Sequence, residues 1–226
     1  MREIIQRFAV EGEFVSCERY GNGHINDTYK VVSTARPYLL QRINRTVFKN
    51  PEVVQANILR VTRHLSSKGI ASLTVVPTHT GEAFHKDASG NYWRVYLFIT
   101  GASPTDVMET PDQARKVGSA FAAFQNQLAD LPPPRLVETI PDFHHGPRRY
   151  EAFRQALSTD AFNRASGIAS EIAFLEAREN LYGRLIRKKL PERITHNDTK
   201  LNNVMLDDVT GEGVCVIDLD TVMPGL

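Results

Sequence analysis

The sequence predicts an α+β protein, with an antiparallel, strand-rich first part and a mainly helical second part. Three observations carry this expectation. The first hundred residues fall largely into short β-branched and aromatic runs joined by brief turns. Longer stretches with apolar residues at helical spacing follow. Near the end, two short apolar runs flank a polar turn at residues 207–211. Strands this closely connected fit an antiparallel meander, because parallel pairs need a crossover of a dozen residues or more. A doubly wound sheet is therefore not expected.

Taken in order, residues 2–10 have helical spacing through Ile4, Ile5 and Phe8. Strands are expected at 13–19, 28–33 and 38–43, with Gly21, Gly23, Ala35 and Pro37 marking the turns. Asn50-Pro51-Glu52 opens a helix reaching to residue 66, with Asn50 as N-cap and Pro51 at the first position. Val53, Val54, Ile58, Val61 and Leu65 share its apolar face. Further strands are expected at 73–77, 82–86 and 92–99. Gly101-Ala102-Ser103-Pro104 breaks the pattern and marks the expected boundary between a lobe of residues 1–100 and a lobe of residues 101–226. Thr110-Pro111 starts a helix to residue 128, with Ala114, Val117, Phe121, Phe124 and Leu128 on one face. The proline run at 131–135 is a loop. Helices at 147–157 and 168–189 come next, the second with a stripe of Ile172, Leu175, Leu181, Leu185 and Ile186. A hairpin of 204–206 and 213–217 closes the series.

Composition narrows the function. Of 226 residues, 42% are hydrophobic and 23% charged, which suits a folded chain and not a disordered one. A net charge of +1 gives no electrostatic reason to seek nucleic acid or an anionic membrane. No stretch approaches the roughly 18 apolar residues of a membrane span, and the charged N-terminus lacks the apolar segment of a signal peptide. Cys17 and Cys215 have neither the number nor the spacing of a disulfide framework or a zinc site. A reduced, soluble, cytoplasmic protein is expected, and nothing resembles a coiled coil.

The strongest chemical signal is His196-Asn197-Asp198-Thr199-Lys200-Leu201-Asn202-Asn203, which fits H-x-D-x-x-x-x-N. Beyond it, the apolar run 214–217 delivers Asp218 at its end. Phosphoryl transfer needs groups in this relation: a carboxylate for the acceptor hydroxyl's proton, and an Asn with a second carboxylate to hold Mg²⁺ against nucleotide phosphates. Oxygen ligands suit that hard cation. The constellation resembles the catalytic loop and metal-binding Asp of the protein-kinase-like superfamily. Lys200 matches a lysine that in many protein kinases reaches the transferred phosphate, and His196 matches a structural histidine that bonds backbone near the metal-binding Asp.

The second signal is Gly21-Asn22-Gly23-His24-Ile25-Asn26 between two expected strands. Glycines let backbone N–H groups approach phosphates closely. Asn26 stands where a Rossmann loop would have its third glycine, and no G-K-[ST] follows, so neither of those loops is present. Gly21, Gly23 and Asn26 are expected to cover a nucleotide. The cation gripping its α- and β-phosphates should lie on the next strand. By usual spacing the position falls on Gln41 with Arg42 next; because adjacent strand residues face opposite ways, only one serves, and Arg42 is expected after a small register shift. Glu52 is the only carboxylate in the following helix, but it sits at the start, where the helix dipole already accounts for it. Residues 97–99, around Phe98, should meet an adenine edge as the hinge between lobes.

These motifs resemble the aminoglycoside phosphotransferase and choline kinase branch of the superfamily. Asp218 is followed by Leu219 and Asp220, not by the Phe-Gly of protein kinases, and no A-P-E segment is present. Within the branch, HNDTKLNNVMLDDVTGEGVCVIDLDTVMPG, GNGHINDTYKV and the region from Ile140 to His144, with Phe153 beyond, resemble the N-acetylhexosamine 1-kinases. The resemblance implies a protein-kinase-like two-lobe fold and transfer of the γ-phosphate of ATP to the anomeric hydroxyl of GlcNAc or GalNAc. It implies Asp198 as catalytic base in contact with substrate, Lys200 near the phosphates, Asn203 and Asp218 on Mg²⁺, and His24 against the sugar. Asp220 is either a metal or substrate contact or a cap at the strand end. It also implies helices beyond Asp218 that build the acceptor pocket. This sequence stops at Leu226, so a truncated C-terminal lobe is expected. Kinases of choline, homoserine, methylthioribose or aminoglycosides share the fold, as would a catalytically impaired nucleotide-binding fragment. The lack of acidic excess favours a neutral sugar over a cationic acceptor.

Overall fold

The computed structural model describes every residue except Asn22 and His24. The chain divides into two compact units, Met1–Thr139 with Ile194–Pro224, and Ile140–Arg193 with Gly225–Leu226. The first contains α1 (Arg2–Ile5), β1 (Phe14–Arg19), β2 (Asp27–Ser33), β3 (Pro37–Ile43), α2 (Pro51–Ser67), β4 (Val75–Val76), β5 (His85–Lys86), β6 (Tyr92–Leu97), β7 (Ala102–Pro104) and α3 (Pro111–Gln127). The second holds α4 (Gly146–Thr159), α5 (Ala169–Glu176), α6 (Glu179–Tyr182) and α7 (Arg184–Arg187). β8 (Arg193–Thr195) leads back to β9 (Val204–Asp207), β10 (Gly213–Val216) and β11 (Met223–Gly225). The architecture is α+β. Among the described residues no helix is long and apolar enough to cross a membrane.

The main sheet runs β1-β2-β3-β6-β4, with β5 also paired to β6 and every pairing antiparallel. Side-chain alternation gives it two faces. On one, Val31, Tyr38, Leu40, Trp93 and Val95 pack with Ile5 and Phe8 into a buried apolar core. On the other, Leu39, Gln41, Arg94 and Tyr96 line a cleft. The helix expected over 2–10 stops at Ile5, because Phe8 is drawn into this core and bridges Thr78, and the Ala9 N–H bonds Pro77 O at 2.8 Å. Tertiary pairing here outweighs local spacing.

Residues 101–104, expected as a break, include a strand. Ala102, Ser103 and Pro104 pair with Asp207, Leu206 and Met205 of β9, so β7 anchors the C-terminal hairpin in a sheet of order β10-β9-β7. Proline is tolerated on this edge strand, where its missing N–H costs no ladder bond. α3 packs on the hairpin, and Gly213 permits the approach: a Cβ there would lie 2.8 Å from the Ala120 Cβ. α3 begins in a capping box, with Thr110 Oγ1 accepting from Gln113 N at 3.2 Å and Gln113 returning a bond to the cap backbone.

In the second unit, the single helix expected over 168–189 is three short helices. Leu181, Leu185 and Ile186 of its intended stripe are exposed, so burial does not stabilise a long helix. Gly183 interrupts it at a cost of about 1 kcal/mol. Arg178 and Arg187 then donate to the carbonyls of Phe174 and Asn180, at 2.9 and 2.6 Å.

Candidate functional site

The loop after β8 is built around a buried imidazole. His196 is 3% exposed, with the Phe121 and Phe124 rings edge-on at 5.3 and 6.0 Å. Its Nδ1 accepts from the Asp198 N–H at 3.3 Å, which leaves Nε2 as the donor to Ile217 O at 2.8 Å. Burial is the main cause that lowers its pKa, so the ring is neutral. One side chain thus ties the loop that carries Asp198 to the residue before Asp218. Ile217 N returns a bond to Asn203 O at 2.9 Å.

Asp198, Lys200, Asn203 and Asp218 are brought together by these ties. Asn203, itself buried, donates from Nδ2 to both Asp198 O and Asp198 Oδ2, at 2.8 and 3.1 Å. Lys200 Nζ lies 2.9 Å from Asp198 Oδ2 and 3.9 Å from Asp218 Oδ2. Asp218 adopts left-handed backbone at φ 58°, and Asn197 does so at φ 64°. Such non-glycine strain persists only where surroundings hold it, and it concentrates at functional sites. Burial, and next the Asp220 charge, push the Asp218 carboxyl up to about 6, against the pull of Arg94 and Lys200. Among the described residues no three His, Cys, Asp or Glu side chains form a metal site by themselves. Asn203 and Asp218 offer one amide and one carboxylate oxygen, a set that fits a hard divalent cation completed by phosphate oxygens.

Lys200, Asn203 and Asp218 line the floor of a cleft of about 390 Å³ whose roof is the main sheet; Asp198 is not in that lining and stands behind it, bonded to Lys200 and Asn203. Gly21, at φ 76°, and Gly23 line it, and nothing stands within 4 Å of where a Cβ would sit on either. Phe98 also lines it, its ring held between Lys30 Nζ at 4.8 Å from the centroid and the edge of Tyr20 at 5.2 Å. The Phe98 N–H is already given to Pro37 O at 3.3 Å, so a bound base would need other hinge groups.

Two expected residues, Arg42 and Asn26, lie elsewhere. Arg42 points away from the cleft: strand alternation turns Gln41 inward and Arg42 outward, where Nε donates to Asp27 Oδ2 at 2.8 Å. Asn26 does not line the cleft either; it braces the wall, donating from Nδ2 to Asp220 Oδ2 at 2.7 Å and accepting the Asn44 N–H at 3.0 Å. Glu52 accepts the Tyr92 hydroxyl at 2.9 Å, outside the cleft. His24 falls outside the described residues.

Sequence reasoning passed over Arg94 and Asp106. Arg94 lines the cleft at 1% exposure and pairs with Asp220 at 2.6 Å, linking β6 to the turn after Asp218. Burial disfavours its charge, but the Asp220 carboxylate more than offsets this and raises its pKa. Its signal was an arginine inside an otherwise apolar, aromatic strand. Asp106 accepts from Asn202 Nδ2 at 2.6 Å at the cleft rim.

The sequence matches the phosphotransferase enzyme family (APH) over residues 16–226. The chain belongs to that family. Its fold is kinase-like, with an antiparallel-sheet N-lobe and helical parts, as in solved structures of that kind. Spectinomycin phosphotransferase APH(9)-Ia, in complex with ADP and spectinomycin, aligns with a TM-score of 0.60 at 15% identity, over 94% of this chain and 66% of that one. The amicoumacin kinase hAmiN, in complex with AMP-PNP and Ca²⁺, gives 0.66 at 13% identity over 95% and 62%. The microcompartment-associated aminopropanol kinase gives 0.66 at 18% identity over 99% and 69%. This phosphotransferase-family chain spans about two thirds of the length of these structures.

Proposed function

We propose that the chain carries the nucleotide site and catalytic loop of an ATP-dependent kinase of small molecules. The observation that supports this best is that Lys200, Asn203 and Asp218 line one cleft with Gly21, Gly23 and Phe98, while Lys200 and Asn203 both hold the Asp198 carboxylate beside it. In this reading residues 1–100 form the nucleotide lobe and residues 101–226 a partial catalytic lobe. ATP lies in the cleft. Asp198 accepts the proton of the acceptor hydroxyl as its oxygen bonds to the γ-phosphorus and the bond to the ADP oxygen breaks. Lys200 neutralises charge on the transferred group. Asn203 and Asp218 would hold Mg²⁺, which supplies charge neutralisation on the phosphates when bound. Positioning and charge compensation supply most of the rate.

For the acceptor we infer the anomeric hydroxyl of an N-acetylhexosamine, GlcNAc or GalNAc, giving the sugar 1-phosphate, in the cytoplasm. The C-terminal run from His196 and the G-N-G-H-I-N loop support this, with His24 against the sugar. The rival is an amine-bearing acceptor, favoured by the aminopropanol kinase and aminoglycoside phosphotransferases among similar structures. A coupled ADP-release assay over N-acetylhexosamines, plain hexoses, amino alcohols and aminoglycosides separates them. Turnover with GlcNAc or GalNAc is expected; turnover confined to amines would overturn the sugar assignment, and none with any acceptor would overturn the kinase.

A further inference from the structure

The kinase reading calls for a protein cation on the sheet face that meets the phosphates, and β3 does not supply one. Gln41 faces the cleft, and Arg42 faces away and pairs with Asp27. In the β3–β6 ladder, however, Gln41 stands directly opposite Arg94. Opposed residues of an antiparallel pair share a face of the sheet. Arg94 therefore occupies the same level of the roof, one strand over.

Its guanidinium is held from two sides. Nε donates to Gln41 Oε1 at 3.0 Å, and Gln41 Nε2 donates in turn to Thr28 Oγ1 at 3.0 Å. Nη1 lies 2.6 Å from Asp220 Oδ1, while the other oxygen of Asp220 takes the Asn26 amide at 2.7 Å. Nη2 makes no hydrogen bond to a described residue. The planar fork presents donors in a rigid geometry that suits phosphate oxygens, and here two of its nitrogens are fixed while the third is left over. A donor fixed in advance needs little reorganisation when an anion arrives.

We propose that Arg94 grips the phosphate chain of the nucleotide, taking from β6 the place that a lysine on β3 holds in protein kinases, with Gln41 and Asp220 aiming its guanidinium. This rests on the kinase reading. It differs from a purely structural pair in one measurable respect: Arg94 adds affinity for phosphates and not for the base.

The test compares adenosine and ADP, each titrated calorimetrically with magnesium present, on the full chain, on Arg94→Gln and on the exchange Gln41→Lys/Arg94→Gln. Loss of one charge-assisted contact lowers ADP affinity about 10- to 100-fold in Arg94→Gln. Adenosine affinity stays within about threefold, and the exchange, which returns a cation on the neighbouring strand, recovers most of the ADP loss. Adenosine and ADP falling together, or ADP unchanged, overturns the proposal. A wild-type chain that binds ADP no better than adenosine overturns the kinase reading as well, so the two failures are told apart. If Arg94→Gln loses its melting transition, the exchange variant decides: folded with preference for ADP supports the proposal, and folded without it contradicts. If neither variant folds, Arg94 is a brace and the proposal falls.

Discussion

Asp198 shares its Oδ2 between Lys200 and Asn203, at 2.9 and 3.1 Å, and its Oδ1 takes no hydrogen bond from a described residue. Oδ1 is thus the oxygen available to an acceptor hydroxyl. Replacing Asp198 by Asn is expected to leave ADP affinity nearly intact and to lower kcat by about 10²–10⁴, the usual contribution of a general base; unchanged kcat in steady-state assays would remove Asp198 from the mechanism. His196 makes a stability prediction. Its folded pKa lies below its unfolded value of 6.5, so the unfolded chain binds more protons as pH falls. The stability it contributes is full above about pH 6.5 and is lost on acidification through the folded pKa. Urea unfolding across this range should show a loss that His196→Gln lacks. The Arg94–Asp220 pair sets a third expectation. Both partners are almost fully buried, and removing one carboxylate leaves a desolvated guanidinium, a change that typically costs about 3–5 kcal/mol. Asp220→Ala should lower stability by that order, whereas breaking the exposed Arg115–Asp112 pair with Asp112→Ala should leave the unfolding midpoint nearly unchanged, because solvent screens it.

Among the elements, α2 links the roof of the cleft to its floor. Asn57, 3% exposed, donates from Nδ2 to Val137 O and Val222 O, at 2.7 and 3.2 Å, and accepts the Val137 N–H at 3.2 Å. Asn57→Leu orphans three backbone groups; the two on exposed Val137 can turn to water, but the Val222 carbonyl is buried, and one such unpaired group costs about 1–3 kcal/mol. A fall in unfolding free energy of about 1–3 kcal/mol is expected, and a change under about 0.5 kcal/mol would mean that the clip is not a brace. The starts of α2 and α3 were legible because Asn50-Pro51 and Thr110-Pro111 satisfy helix ends with local chemistry. β1, β2 and β3 were legible for the same reason, as alternation and turn residues are local. The helix over 168–189 was misread because periodicity describes a stripe and not whether anything covers it. β7 was missed because its partner, β9, is about a hundred residues away, and a three-residue strand ending in proline has no pattern of its own.

For the molecule as a whole, the floor of the candidate site was more legible than its roof. Asp198, Lys200, Asn203 and Asp218 sit on one loop and one hairpin, so a short sequence contains both the residues and the connections that bring them together. The cation over the phosphates was not legible. Its position depends on the β3–β6 register, which pairs Gln41 with Arg94 across more than fifty residues. No spacing rule along the chain reports that pairing. Family membership and the kinase-like fold agree with the floor, while the acceptor is the part that similarity leaves to experiment. The central claim is that this cleft binds a magnesium nucleotide through Asp218. Calorimetric titration of the wild-type chain and of Asp218→Ala with MgATP tests it most directly. Saturable binding by the wild type and its loss in the variant are expected; equal affinity in the two proteins would remove Asp218 from the nucleotide site.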